Sequence, residues 1–209
     1  MIALKLGAAA LALAAVCAPA AAGTITFNDL TTTNTFDPYE SVTEGGLLFT
    51  NSHGTSDNFI VWGANDGRNA DQGGATLNNN YSQTTTTVTR VGGGKFDLTS
   101  IDLGDVYNYA YGGQVRFDFN GDSAGTEYVD LDNLVGLQTF TFNKTGLISF
   151  NYTPLTTTGA WIQADNVVMD LKQNGAVPEP ASWAMMLGGF GLVGGALRGT
   201  KRRSQLTFA

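Results

Sequence analysis

The sequence contains one cysteine, Cys17, and one histidine, His53, in 209 residues. Cys17 lies inside an N-terminal apolar run that is expected to be removed on export. Disulfides, thiol nucleophiles and cysteine metal sites are therefore excluded from the remainder of the chain. One histidine is too few for a histidine-cluster metal hydrolase. His53 stands beside Ser52 and Asp57 in a Gly/Ser/Asn stretch, but no motif marks a nucleophile, so it reads as an exposed loop residue. Positive charge is also scarce. Between the two ends lie 17 of the 18 acidic residues but only 6 of the 11 basic ones, a net charge near −11. Such a surface repels phosphate backbones and excludes a nucleic-acid partner, while it suits solvation, cations or neutral ligands such as sugars. Long helical periodicity and 20–50-residue repeats are both missing, which excludes solenoids and propellers.

What is present alternates with a period of two. Val115, Phe117 and Phe119 alternate with Arg116 and Asp118, and Asn120-Gly121 then signals a tight turn. Val129 and Leu131 alternate with Asp130 and Asp132, Phe140 and Phe142 with Thr139 and Thr141, and Ile148, Phe150 and Tyr152 with Ser149 and Asn151. Further strands are expected at Thr24–Asn28, Leu47–Asn51, Phe59–Trp62, Thr85–Val91, Phe96–Leu103 and Trp161–Leu171. Ten or eleven short strands with Gly/Asn/Asp turns predict an all-β antiparallel sandwich of jelly-roll type over residues 23–175.

The two ends differ from this domain. Lys5, the apolar stretch Leu6–Ala18 and the small residues Ala20-Ala21-Ala22 have the layout of a secretory signal peptide, 1–22, cut after Ala22. Val16 before Cys17 argues against lipidation. At the other end stand Val177-Pro178-Glu179-Pro180, an uncharged segment 181–197, and the basic stop Arg198, Lys201, Arg202 and Arg203. The prolines keep the entry extended. Segment 181–197 reaches about 25 Å as a helix, the short end of what spans a bilayer. Trp183 suits the outer interface, and the basic cluster with residues 204–209 the cytoplasm. Gly191 and Gly195 have the spacing of close helix packing.

The string from Val177 to Arg198 resembles the PEP-CTERM sorting domain, which also carries an ice-binding heading. That resemblance implies recognition of Val177, Pro178, Glu179 and Pro180 by an exosortase-type membrane protease, after export by the Sec machinery and cleavage by signal peptidase. The chain would be anchored transiently by its helix and then reach the cell surface or the extracellular space. The extension Ser204–Ala209 departs from the usual ending of such tails.

Within the middle domain, Trp161 followed by Asp165-Asn166-Val167 resembles the last strand of galactose-binding-like jelly rolls. There the aspartate often joins an early acidic residue at a structural calcium, which implies Asn28, Asp29 and Asp165 here; the alternative is that Asp165 bonds backbone in a loop or bulge. Asp118, Asn120 and Asp122 have the spacing of a calcium loop, but Ser123 and Val129 occupy its glycine and glutamate positions, so a hairpin turn is expected instead. Aromatic rings stack on sugar faces, and Trp62, Tyr81, Tyr107, Tyr109, Tyr111 and Trp161 are candidates. Tyr107, Tyr109 and Tyr111 are the chosen set, expected on one side of an extended segment; an aromatic ladder is the other reading. Threonine runs at 31–33, 84–87 and 156–158 lack a repeat, so a regular ice-binding array is not supported. The expectation is a non-enzymatic surface or matrix protein that interacts with exopolysaccharide. Its alternatives are a structural envelope or biofilm component without a specific ligand and, last, an exported carbohydrate-active hydrolase acting through a carboxylate pair.

Overall fold

A computed structural model describes residues 22–30, 36–155, 161–172 and 185–194. They fall into two units, divided after Lys172. In the first unit the apolar runs and alternations form twelve strands: β1 (Gly23–Ile25), β2 (Phe36–Tyr39), β3 (Val42–Glu44), β4 (Leu47–Asn51), β5 (Phe59–Trp62), β6 (Thr76–Asn79), β7 (Thr86–Arg90), β8 (Phe96–Asp105), β9 (Gly113–Gly121), β10 (Gly125–Leu131), β11 (Gln138–Pro154) and β12 (Ile162–Leu171). Every pairing is antiparallel.

One ladder runs β2-β5-β6-β12-β8-β11-β7-β4-β3, with β1 also on β12 and with β9 joining β10 to β11. It folds into two layers because β11 serves both. Its first part, Gln138 to Leu147, pairs with β8, and its second part, Leu147 to Pro154, lies between β7 and β9. The crossing occurs at register shifts on either side of Lys144, where Asn143 (φ 51°) and Gly146 (φ 63°) are left-handed. Such bulges bend a strand without ending it. The result is the expected antiparallel β-sandwich of jelly-roll type. Phe27, Phe49, Phe59, Phe96, Phe117 and Phe150 are fully buried between the layers; truncating one to alanine costs about 3–5 kcal/mol.

Two sequence expectations are corrected. The hairpin after β9 is wider than a two-residue Asn-Gly turn, since Phe119 pairs with Gly125. The alternations at 139–142 and 148–152 belong to one strand, β11, rather than two.

The layer β2-β5-β6-β12-β8 is buried on both faces near its middle. Phe59 and Val61 of β5 enter the inter-layer core, while Ile60 and Trp62 are buried on the opposite face. In β6 and β12, Leu77, Ile162 and Ala164 are core residues, and Thr76, Asn78, Gln163 and Asp165 lie on that opposite face. The register aligns Ile60, Asn78, Gln163 and Gly104 across four strands. Two connections cover this row, residues 63–75 and residues 106–112.

In the second unit, residues 185–194 form a helix whose Met185, Leu187, Phe190 and Leu192 side chains are exposed. Among the described residues no helix is long and apolar enough to cross a membrane. The expected span 181–197 is described only in its middle. Residues 1–21 of the signal peptide, the motif Val177–Pro180 and the basic stop Arg198–Arg203 lie outside the described residues.

Candidate functional site

The connection 63–75 is held by two buried amides. Asn69, fully buried, offers its Nδ2 to the carbonyls of Trp62 (3.2 Å), Gly63 (2.9 Å) and Gly74 (2.9 Å), and its Oδ1 accepts from the Thr76 hydroxyl (2.9 Å) and from Asp71 N–H (3.0 Å). Gln163 reaches from β12 into the same layer. Its Oε1 accepts from Ala70 N–H (3.0 Å) and the Thr76 hydroxyl (2.6 Å), and its Nε2 donates to the carbonyls of Arg68 (2.7 Å) and Asp105 (2.9 Å). A polar network is tolerated inside a protein only when satisfied in this way. The loop lies so close to β8 that a Cβ on Gly104 would stand 2.8 Å from Ala70 Cβ and 2.9 Å from Gly136 O, which explains the glycine.

Beside this loop opens a cleft of about 230 Å³. Trp62, Tyr107 and Trp161 supply aromatic walls, with Ile60 and Val106 as apolar lining. Its polar groups are Arg68, Asn78 and Asn80. Arg68 lays its guanidinium 4.0 Å from the Trp62 ring centroid. It also pairs with Asp66 through two hydrogen bonds, Nε to Oδ1 at 2.9 Å and Nη2 to Oδ2 at 2.7 Å. Those bonds hold the Asp66 carboxyl below the usual range and raise Arg68. Asn78 is buried, and its Oδ1 has no hydrogen-bond partner. Trp161 is fixed by Nε1 donating to the Asn80 carbonyl at 3.1 Å.

The chosen tyrosines continue from this cleft. Tyr107 and Asn108 are both left-handed (φ 55° and 54°), an uncommon conformation for such side chains. They turn the chain in a short 3-10 turn rather than the expected extended segment. The turn is anchored by Asp105 Oδ2 accepting from Gly112 N–H (2.9 Å) and Asn108 Oδ1 from Gly136 N–H (2.7 Å). Burial raises the Asp105 carboxyl. The outcome is a chain of edge-to-face rings: Trp62 to Tyr107 at 6.1 Å, Tyr107 to Tyr109 at 6.1 Å and Tyr109 to Tyr111 at 5.3 Å. The three tyrosines are exposed by 44, 52 and 49 %, far more than a core ladder would leave them.

Tyr81 lies elsewhere, stacked on His53 at 3.5 Å with its hydroxyl donating to Asp57 (2.8 Å). The Tyr81 bond lowers the Asp57 carboxyl. His53 Nδ1 meets the Thr55 hydroxyl, and His53 and Asp57 share Thr55 and Tyr81 as neighbours, whereas Ser52 Oγ is turned away to accept from Thr85 N–H.

Asp165 is buried at a bulge in β12, where Asn166 is left-handed (φ 46°). Its Oδ1 has no hydrogen-bond partner. Burial, then the negative charges of Asp71 and Asp102, push its carboxyl up to about 8. The side chain that meets it is Asp71. Asn28 adjoins the same corner, because a Cβ on Gly74 would lie 2.4 Å from Asp71 Oδ2 and 2.7 Å from Asn28 Oδ1. Asp29 is exposed in the turn Asn28–Leu30. Among the described residues no three His, Cys, Asp or Glu side chains are grouped to hold a metal. Two carboxylates, Asp71 and Asp165, meet at this corner with only negative charges acting on the buried one, and Asn28 Oδ1 beside them accepts from Ala75 N–H (2.6 Å). Asp66, Arg68, Asn69, Asp71, Asn78 and Gln163 were not singled out by sequence; the density of polar side chains in the connection from Trp62 to Thr76 was the signal available.

Residues 176–203 match the PEP-CTERM protein-sorting motif. No curated protein is similar enough to count as a relative. Among solved structures, the domain is similar to the family 32 carbohydrate-binding module of AlyQ in complex with 4,5-unsaturated mannuronic acid. The two are 15 % identical over 64 % of this chain and 97 % of that one, with a TM-score of 0.37. It is similar to a family 29 carbohydrate-binding module from Piromyces equi, 9 % identical over 69 % and 96 % of the chains, TM-score 0.37. A third is the xylan-binding domain CBM22-1 of Paenibacillus barcinonensis Xyn10C, 11 % identical over 73 % and 96 %, TM-score 0.34. The sorting motif over residues 176–203 marks the chain as an exosortase-sorted surface protein.

Proposed function

We propose that the β-sandwich is a non-catalytic glycan-binding module that attaches this surface protein to exopolysaccharide through the Trp62–Trp161 cleft and the tyrosine ridge. The observation that carries this reading is the run of rings from Trp62 through Tyr107 and Tyr109 to Tyr111, leading out of a cleft with polar lining. Exposed tyrosine faces can stack on the apolar side of a sugar, and the cleft beside them is lined by the polar residues Asn78 and Asn80. Glycosidases need two carboxyl groups at the bond, one kept protonated. Of the carboxyl groups by the cleft, Asp66 is ion-paired and lowered, while Asp105, raised by burial, is enclosed and accepts from Gly112 N–H, a combination that argues for binding without turnover.

The same reading assigns residues 1–22 to a signal peptide and Sec export, and residues 23–175 to the module. It also assigns Val177–Pro180 to protease recognition, with 181–197 as a transient anchor and Arg198, Lys201, Arg202 and Arg203 as its stop. A structural calcium is proposed at Asp165, Asp71 and Asn28, where it would neutralise the paired carboxylates and tie the loop 63–75 to β12.

The test is calorimetric titration with the host's own exopolysaccharide. Saturable binding is expected to weaken about tenfold or more when Tyr109 and Tyr111 are changed to alanine, with an unchanged Tm. A chain that binds no exopolysaccharide would instead favour a structural envelope component.

A further inference from the structure

The cleft is aromatic, but its charge and the set of its rings are specific. Arg68 is the charged residue in the lining, and both its Nε and Nη2 donate to the Asp66 carboxylate. The guanidinium therefore meets the cleft with its charge already balanced, and its flat face is laid on Trp62. The remaining polar lining, Asn78 and Asn80, consists of neutral amides suited to hydroxyls. The domain as a whole is strongly acidic, with a net charge near −11 between the two ends. A polyanionic chain would meet repulsion on approach and no uncompensated cation on arrival.

The ridge constrains shape. Its planes turn by 65°, 65° and 77° from Trp62 to Tyr111. A flat crystalline polymer face needs coplanar rings to stack on, whereas this series can follow only a chain that turns along its length. The rings follow one another ring to ring from the cleft-lining Trp62 to Tyr111, an arrangement that suits contact with successive units of one strand. Resting on the glycan-binding reading above, we infer that the ligand is an uncharged polysaccharide, bound as a single soluble chain that runs from the cleft along the tyrosine ridge.

The experiment compares affinities of the protein for two soluble panels. The neutral panel is mannan, galactan, xylan and β-1,3-glucan with their oligosaccharides; the acidic panel is alginate and polygalacturonate; microcrystalline cellulose is the solid control. At least one neutral glycan should bind, with affinity rising from monosaccharide to longer oligomers. Tyr111→Ala should flatten that rise by lowering the affinity for longer oligomers more than that for the shortest one. Asp66→Asn, close in shape, removes the counter-charge of Arg68 and should raise affinity for polygalacturonate on the order of tenfold, the size of one charge-assisted hydrogen bond. Tighter binding of the acidic panel by the unaltered protein overturns the inference on charge. Equal affinity for monosaccharide and oligomer, or retention on cellulose alone, overturns it on shape. In those outcomes a glycan site survives. Failure to bind any glycan in either panel overturns this inference, and failure to bind the host exopolysaccharide as well overturns the glycan-binding reading itself.

Discussion

The guanidinium of Arg68 lies 4.0 Å from the ring centroid of Trp62, so that a residue of the connection 63–75 rests on the last residue of β5. Trp62 is 4 % exposed although it faces away from the inter-layer core. Its burial depends on being covered by Arg68 and by Tyr107. Changing Trp62 to alanine is expected to cost about 3–5 kcal/mol in chemical denaturation and to abolish glycan binding. Retained affinity would separate the cleft from the ligand.

Gln163 makes a different kind of prediction, because it lies beneath the cleft rather than in its lining. Its four hydrogen bonds hold Ala70, Thr76, Arg68 and Asp105, and so join both covering loops to β12. Gln163→Ala leaves a buried N–H and two buried carbonyls without their partner. A loss of about 3–5 kcal/mol is expected from the denaturation midpoint. Affinity should fall even where the variant remains folded.

Asp165 predicts a pH dependence with a definite sign. Its carboxyl is held at about 8, above the ordinary 3.8, so the folded chain binds this proton more tightly than the unfolded chain. The associated stability is complete below the ordinary pKa and is lost as pH rises through about 8. Without calcium, Tm should therefore decline between those values. Calcium, which requires the ionised carboxylate, should restore Tm more at the alkaline end. Asp165→Asn should flatten the decline and remove the response to calcium.

The sequence made some of this legible. Phe59–Trp62 and Leu47–Asn51 are legible at their observed limits, because consecutive apolar residues mark both. Strand Thr76–Asn79 was not found, since Thr76, Asn78 and Asn79 are polar and their burial comes from loops packed on top. Phe36–Tyr39 carries Pro38, which is tolerated there because the strand lies at the end of the ladder. The single strand β11 looked like two because Asn143-Lys144-Thr145-Gly146 reads as a turn, whereas it forms the bulge by which the chain changes layers.

At the candidate site the rings were legible and their setting was not. Tyr107, Tyr109 and Tyr111 are conspicuous by type and spacing. Arg68 and Asp66 become a cleft wall only through contacts with Trp62 in three dimensions. Asp71 lies 94 positions before Asp165, and nothing local pairs them.

Intrinsic tryptophan emission tests the central claim most directly. Of the chain's three tryptophans, Trp62 and Trp161 line the cleft and Trp183 belongs to the sorting tail. Trp62 is already shielded from water, whereas Trp161 is partly exposed. Glycan entering the cleft must displace water from the Trp161 indole, so titration with the host exopolysaccharide is predicted to give a saturable blue shift. That shift should persist in Trp183→Phe. An emission spectrum that stays constant up to saturating polysaccharide would contradict the assignment of this cleft as the glycan site.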